Sequence, residues 1–169
     1  HMDKRKIIRK QNNSARCLIC GLENDFGLFT RFYETEEGEV VALATGRDEH
    51  QGYPGRMHGG IITALLDETI GRSIMLSDPN AWGVTADINV RFKKPVPLEE
   101  EIKIIGRIDK EGRRVFEGSG EIVLRDGTVA ATARGKFVRM HIDSIVDDGE
   151  DFREDQWFLE ERPEDPEYV

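Results

Sequence analysis

A chain of 169 residues that is 38% hydrophobic and 34% charged holds enough apolar sequence for one compact domain. No apolar run approaches the roughly 18 residues a membrane span needs, and no secretory segment is read at the start. The net charge of -9 is unevenly spread: residues 1–20 carry six Lys or Arg against one Asp, and residues 141–169 twelve Asp or Glu against two Arg. The nearly balanced stretch between them argues against a nucleic-acid groove. Two cysteines are too few for a disulfide framework, which makes a reducing cytoplasm the expected compartment. His1 and Met2 read as a cloning remnant.

Residues 3–16 are polar apart from Ile7 and Ile8 and read as a basic arm, either a short helix or loose chain. Cys17-Leu18-Ile19-Cys20-Gly21 follows, and C-x-x-C spacing suits half a zinc site, a redox pair or two small semi-buried residues of a turn. A structural zinc site would need a second such pair; the internal histidines are His50, His58 and His141, so the turn is favoured and no metal is expected. From Phe26 the pattern turns to strands, Gly27–Glu34 and Glu39–Thr45, joined as a hairpin through Glu36-Glu37-Gly38. The loop 46–57 is rich in glycine and suits close backbone approach by a ligand.

A helix is expected from about Gly59 to Met75, stopped by Ser77-Asp78-Pro79. Ile61, Ile62, Leu65, Leu66, Ile70 and Ile74 cover too wide an arc for a helix lying on one side of a fold, so it should be surrounded on most sides. Strands follow at 83–93, 100–109, 113–124 and 128–141, the last three linked by the hairpin turns Lys110-Glu111-Gly112 and Arg125-Asp126-Gly127. In the first of them Val84, Ala86, Ile88, Val90 and Phe92 alternate with Thr85, Asp87, Asn89 and Arg91. The order β-β-α-β-β-β-β defines an α+β fold, a curved antiparallel sheet wrapped around one long central helix. Trp157-Phe158-Leu159 is an apolar patch in the acidic tail, either a short docked helix or unpatterned chain. The divisions are an arm at 1–16, a folded domain at 17–141 and an acidic tail at 142–169.

Two neighbouring carboxylates in the helix differ in kind. Glu68 stands one turn before Arg72, an ordinary i,i+4 pair at a surface or rim. Asp67 has Thr63, Ala64, Ile70 and Gly71 at its i±3 and i±4 positions, none of them basic. A desolvated carboxylate without a partner has a raised pKa and costs stability, which marks Asp67 as a site candidate. Gly59 and Gly60 open the helix, where backbone N–H groups lack intrahelical partners and can meet an oxygen that becomes negative during acyl transfer. Eight residues separate Gly59 from Asp67, about 12 Å of helical rise. Reacting atoms must approach within roughly 3–3.5 Å, so if both groups serve one carbonyl, the site should lie across a two-fold interface.

The segment Gly55-Arg56-Met57-His58-Gly59-Gly60, Asp67 in the helix, Thr85, and Lys94-Pro95-Val96-Pro97 together resemble the hotdog-fold thioesterases of the phenylacetate-degradation type. The likeness covers roughly residues 17–141 and includes the Cys17–Gly21 opening seen in some members. It implies hydrolysis of acyl-CoA thioesters by homodimers that often pair into homotetramers, with CoA as part of the substrate and no bound cofactor. The family's carboxylate, as general base or nucleophile, falls on Asp67; its oxyanion donor falls on the Gly59 N–H and its helper hydroxyl on Thr85. His58 matches the motif histidine, either holding the loop or acting directly. Many relatives carry an Asn or similar residue six before that histidine, where this chain has Gly52; either Gln51 or His50 orients water here or the role is absent. Gly60 and Glu68 border the expected substrate site, and Arg56, Arg91, Lys93 and Lys94 are the basic candidates for CoA phosphates, with Arg113 and Arg114 further along. An acyl-CoA-sensing hotdog module that does not cleave is the first alternative, and an enoyl-CoA hydratase the second.

Overall fold

The structure, a computed structural model, describes residues 4–145 and 156–169. Residues 1–3, with the expected remnant at 1–2, and the tail residues 146–155 lie outside the described residues. In chain order the strands are β1 (Ile7–Lys10), β2 (Asn13–Ser14), β3 (Arg31–Thr35) and β4 (Val40–Thr45), then β5 (Ala81–Phe92), β6 (Glu101–Glu111), β7 (Val115–Val123), β8 (Val129–His141) and β9 (Trp157–Phe158). The long helix α1 (Gly59–Gly71) tightens into a 3₁₀ turn at Arg72–Leu76, and a single helical turn, α2 (Ile142–Ile145), follows β8. Seven strands form one antiparallel sheet in the order β1-β3-β4-β6-β7-β8-β5, and β2 pairs with β9 beside it. This is the expected hotdog arrangement, helix inside and sheet outside.

The sheet can close on α1 because its inner surface is cut away under the helix. A Cβ on Gly106 of β6 would stand 2.8 Å from the Thr69 carbonyl oxygen, and one on Gly118 of β7 would stand 2.6 Å from an Ile70 methyl. Bare backbone there lets Leu65, Leu66, Ile70 and Ile74 pack fully buried with Ile104, Phe116, Ile122 and Phe137. Each such side chain contributes about 1.5–3 kcal/mol of burial. The β3–β4 hairpin turns at Gly38, whose φ of 77 is cheap only for glycine. No helix among the described residues is long and apolar enough to cross a membrane.

The two chain ends differ from expectation. The arm is neither helical nor loose: β1 extends the sheet alongside β3, and β2 holds β9, so Trp157 and Phe158 form a strand rather than a helix. Opposite charge ties them, with Lys10 Nζ 2.9 Å from the Asp165 carboxylate, which also accepts from the Tyr33 hydroxyl at 2.7 Å. Val169 is buried, and its N–H donates to the Arg5 carbonyl. The described part of the acidic tail is therefore docked on its own domain.

Strand β5 also departs from simple alternation. Thr85 pairs with Phe137, but Asp87 pairs with Lys136, leaving Ala86 as a bulged residue. One extra residue reverses which face the preceding side chains occupy. Phe137 is in the core, so Thr85 shares its row and faces the helix instead of lying opposite Ile88.

Candidate active site

The bulge on β5 brings the Thr85 hydroxyl onto Asp67, where it donates a short hydrogen bond to Oδ1. Burial pushes the Asp67 carboxyl above its ordinary value, and the Thr85 bond opposes that in part. No ion pair reaches Asp67 among the described residues. The carboxylate lies on the wall of a cavity of about 420 Å³ bounded also by Glu68, Arg72, Met75, Trp82, Val84 and Trp157. Trp157 of β9 meets Trp82 of β5 edge-on, with ring centroids 5.3 Å apart. The tail thus supplies part of the cavity wall.

Glu68 keeps the expected partner in a different setting. Its Oε2 lies 3.2 Å from Arg72 Nε; Arg72 is buried at 5% exposure, while Glu68 keeps 22% at the cavity wall. Burial is the largest influence on Glu68 and pushes it up to about 7, against the pull of Arg72. Cys17 donates its thiol proton to Glu68 Oε1 at 3.0 Å, and Arg72 Nη2 donates to Cys20 Sγ at 3.1 Å. Both cysteines line the same cavity. The cluster was hidden in the sequence because C-x-x-C and an i,i+4 pair are each common alone; the fold joins them.

At the other end of α1, His58 is the N-cap, and its Nδ1 accepts the Gly60 N–H at 2.8 Å. Gly60 therefore has its amide engaged. The Gly59 N–H has no acceptor among the described residues. Gln51, exposed, accepts the Gly55 N–H at 3.1 Å and folds the loop on itself. His50 corrects the expectation of a substrate-facing or water-orienting group: it is 2% exposed, with Nδ1 accepting from Arg47 N–H at 2.9 Å and Nε2 2.7 Å from the Phe26 carbonyl oxygen. Both ring nitrogens are spent on holding the loop.

Arg56, Arg91, Lys93 and Lys94 are exposed and belong to the end of the fold where α1 begins. Arg56 bridges to Pro97, and a Cβ on Gly59 would lie 3.5 Å from the ring of Phe92, the neighbour of Arg91 and Lys93. Arg114 is at the opposite end, its carbonyl accepting from Arg139, which pairs with Gly83. Gly59 and Asp67 share the helix but not the cavity, as the spacing requires.

A helix enclosed in a curved antiparallel sheet, with a carboxylate in its middle that has no cationic partner among the described residues and a free-standing amide at its start, defines a hotdog domain with an acyl-transfer type of site. The thioesterase superfamily profile matches residues 54–131, from the loop before the helix into β8. The bovine acyl-coenzyme A thioesterase THEM4 is 28% identical over 141 residues, which is 82% of this chain and 57% of that protein. This chain thus spans little more than half the length of that relative. The solved thioesterase superfamily protein RHA08564 shares 29% identity with a TM-score of 0.60, over 64% of this chain and 53% of that one. The Escherichia coli PaaI protein of the phenylacetic acid degradation operon shares the fold at a TM-score of 0.61, with 19% identity over 67% of this chain and 80% of that one. Residues 54–131 of this chain thus resemble the thioesterase superfamily, and the fold is the one those hotdog structures share.

Proposed function

We propose that this chain hydrolyses acyl-CoA thioesters to the free acid and CoA, with Asp67 of one copy and the Gly59 amide of another meeting at the same carbonyl. One observation carries the proposal: a half-buried carboxylate without a cationic partner, steadied by the Thr85 hydroxyl on the wall of a cavity large enough for an acyl group. A carboxylate of raised pKa is a better proton acceptor near neutrality. Asp67 takes a proton from water as it attacks the thioester carbonyl, or attacks that carbon itself. The tetrahedral oxygen gains negative charge in either course and is met by the Gly59 N–H at the positive end of α1, a donor of a kind worth about 10²–10³ in rate.

The second copy is supported by the free edge of β5. That strand is twelve residues long and among the described residues pairs with β8 alone, which leaves its other edge open to a partner, and natural sheets rarely leave so long an edge uncovered. Thr85 touches Asp67, and Phe92 lies against Gly59. Two β5 edges paired antiparallel about a point near Ile88 and Asn89 bring Phe92 of one copy towards Thr85 of the other, and Gly59 towards Asp67. Arg56, Arg91, Lys93 and Lys94 then stand at the rim, where CoA phosphates need cations. The relative named acyl-coenzyme A thioesterase supports CoA as the carrier. We take the dimer, with its pairing into a tetramer, a cytoplasmic setting, and a reaction needing neither metal nor bound cofactor as parts of the same proposal.

Thiol release measured over short, long and aryl acyl-CoAs tests it. The unmodified chain should turn over at least one class, and Asp67→Ala should lose that turnover by about 10²-fold or more while keeping its far-UV spectrum and oligomeric state. Near wild-type hydrolysis by Asp67→Ala would end the assignment. Thermal stabilisation by acyl-CoA without thiol release would point to a sensing module instead.

A further inference from the structure

Thioester hydrolysis leaves the cluster behind Asp67 unused. Cys17, Cys20 and Glu68 present two sulfurs and a carboxylate oxygen all within 4.8 Å of one another. A cation would be the first candidate ligand for such a set, but the remaining corner is filled: the Arg72 guanidinium lies 3.1 Å from Cys20 Sγ and 3.2 Å from Glu68 Oε2. Arg72 is fixed there, donating to the Asn12 carbonyl at 2.8 Å and stacking at 3.9 Å over Phe32 and 5.1 Å from the Trp157 ring. A buried guanidinium repels a metal ion and attracts a thiolate.

The surroundings of the two sulfurs are unequal. Hydrogen bonding from Cys17, the charge of Arg72 and the Ser14 hydroxyl at 3.4 Å outweigh burial and lower Cys20 to about 4. Cys17 is pushed up by that same bond with Cys20, by burial and by the charge of Glu68. The Cys17 proton points to Glu68 Oε1 at 3.0 Å, and the Cys20 sulfur lies within 4.8 Å of the Cys17 sulfur. This is the division of labour of a nucleophilic thiolate and a partner thiol that resolves it, on residues three apart in a tight turn where Gly21 N–H closes on the Cys17 carbonyl at 2.8 Å.

We propose that Cys17 and Cys20 form a dithiol site that reacts with a small neutral hydroperoxide and closes to a Cys17–Cys20 disulfide. The cavity admits such an oxidant: both cysteines line its wall, where Asp67, Glu68 and Arg72 stand beside the apolar Met75, Trp82, Val84 and Trp157, and a small neutral molecule enters without bringing a further charge to be desolvated. The Cys20 thiolate attacks the peroxide; an S–O bond forms, the O–O bond breaks and the alkoxide or hydroxide leaves to take a proton from water. Cys20 is then a sulfenic acid. Cys17 gives its proton towards Glu68 and attacks the Cys20 sulfur; the S–S bond forms, the S–O bond breaks, and hydroxide leaves with that proton as water. Two electrons pass from the two sulfurs to the peroxide. No step uses Asp67, so the site stands or falls apart from thioester hydrolysis.

The reduced full chain treated with one equivalent of hydrogen peroxide tests this by intact mass and thiol counting. Both thiols should disappear, the mass should fall by two hydrogens, and dithiothreitol should restore both. A Cys17→Ser chain should instead stop at the sulfenic acid, gaining one oxygen and a dimedone adduct at Cys20. Two free thiols remaining in the unmodified chain, or oxidation of Cys17→Ser without a Cys20 adduct, would overturn the proposal.

Discussion

Because burial outweighs every other influence on Asp67, the folded chain holds its proton more tightly than the unfolded chain does. Between the ordinary value of 3.8 and the raised folded value, the native state binds a proton the unfolded state has released. Stability therefore falls as pH rises through that window, and the deficit remains at neutral pH. Asp67→Asn removes the charge with little change of shape. It should raise the melting temperature at pH 7, lose this advantage below pH 3.8, and lose hydrolysis; scanning calorimetry at the two pH values beside a thiol-release assay checks all three. Thr85→Val isolates the hydroxyl. That hydroxyl lowers the Asp67 pKa, so its loss should move the acid limb of the rate profile to higher pH and slow turnover by roughly tenfold, the equivalent of about one hydrogen bond. An unmoved acid limb would mean that Thr85 does not tune Asp67.

At the scale of elements, the six strands from β3 to β8 and the helix were legible because each carries its own period: β5 alternates, α1 shows apolar residues at helical spacing, and Gly38, Gly112 and Gly127 mark turns. The Ala86 bulge was not, since nothing in Val84-to-Phe92 breaks the alternation; only the pairing with β8 reveals that Thr85 shares a row with Phe137. The strands at the chain ends were missed for a related reason. Gln11 and Asn13 are polar yet buried, satisfied by distant groups such as the Glu34 carboxylate and the Thr30 carbonyl, and local sequence does not record distant partners. The burial of Arg72 has the same origin, since its cover comes from Phe32 and Trp157. What makes the enclosure possible is the bare backbone beneath α1. A methyl on Gly106 meets a carbonyl oxygen, Thr69 O at 2.8 Å, which cannot swing aside as a flexible side chain would. Gly106→Ala should thus cost about 1–3 kcal/mol by overpacking, read as a lower urea midpoint at unchanged slope. No loss of stability would show that the helix can lift from the sheet.

For the whole molecule, the decisive feature is that the two groups suited to acyl transfer sit on one rigid helix at different ends. Helix geometry keeps Gly59 and Asp67 about 12 Å apart in rise, so no rearrangement of side chains unites them within one copy. Two copies joined through β5 would carry two equivalent sites, each taking Asp67 from one protomer and Gly59 from its partner. The amide can be deleted cleanly. Gly59 is the first helical residue, a position that accepts proline because its N–H has no helical acceptor, and His58 before it is already extended at φ -61 and ψ 137. Gly59→Pro and Asp67→Ala should each be nearly inactive alone, for different reasons. Mixed in equal amounts and allowed to exchange subunits, half the dimers become hybrids. Each hybrid has one site with both groups intact and one with neither, so about a quarter of the wild-type rate should return, rising as exchange proceeds. Recovery cannot occur if each chain works alone. A mixture whose exchange is verified by mass spectrometry and which stays at the sum of its inactive parts would remove the shared site.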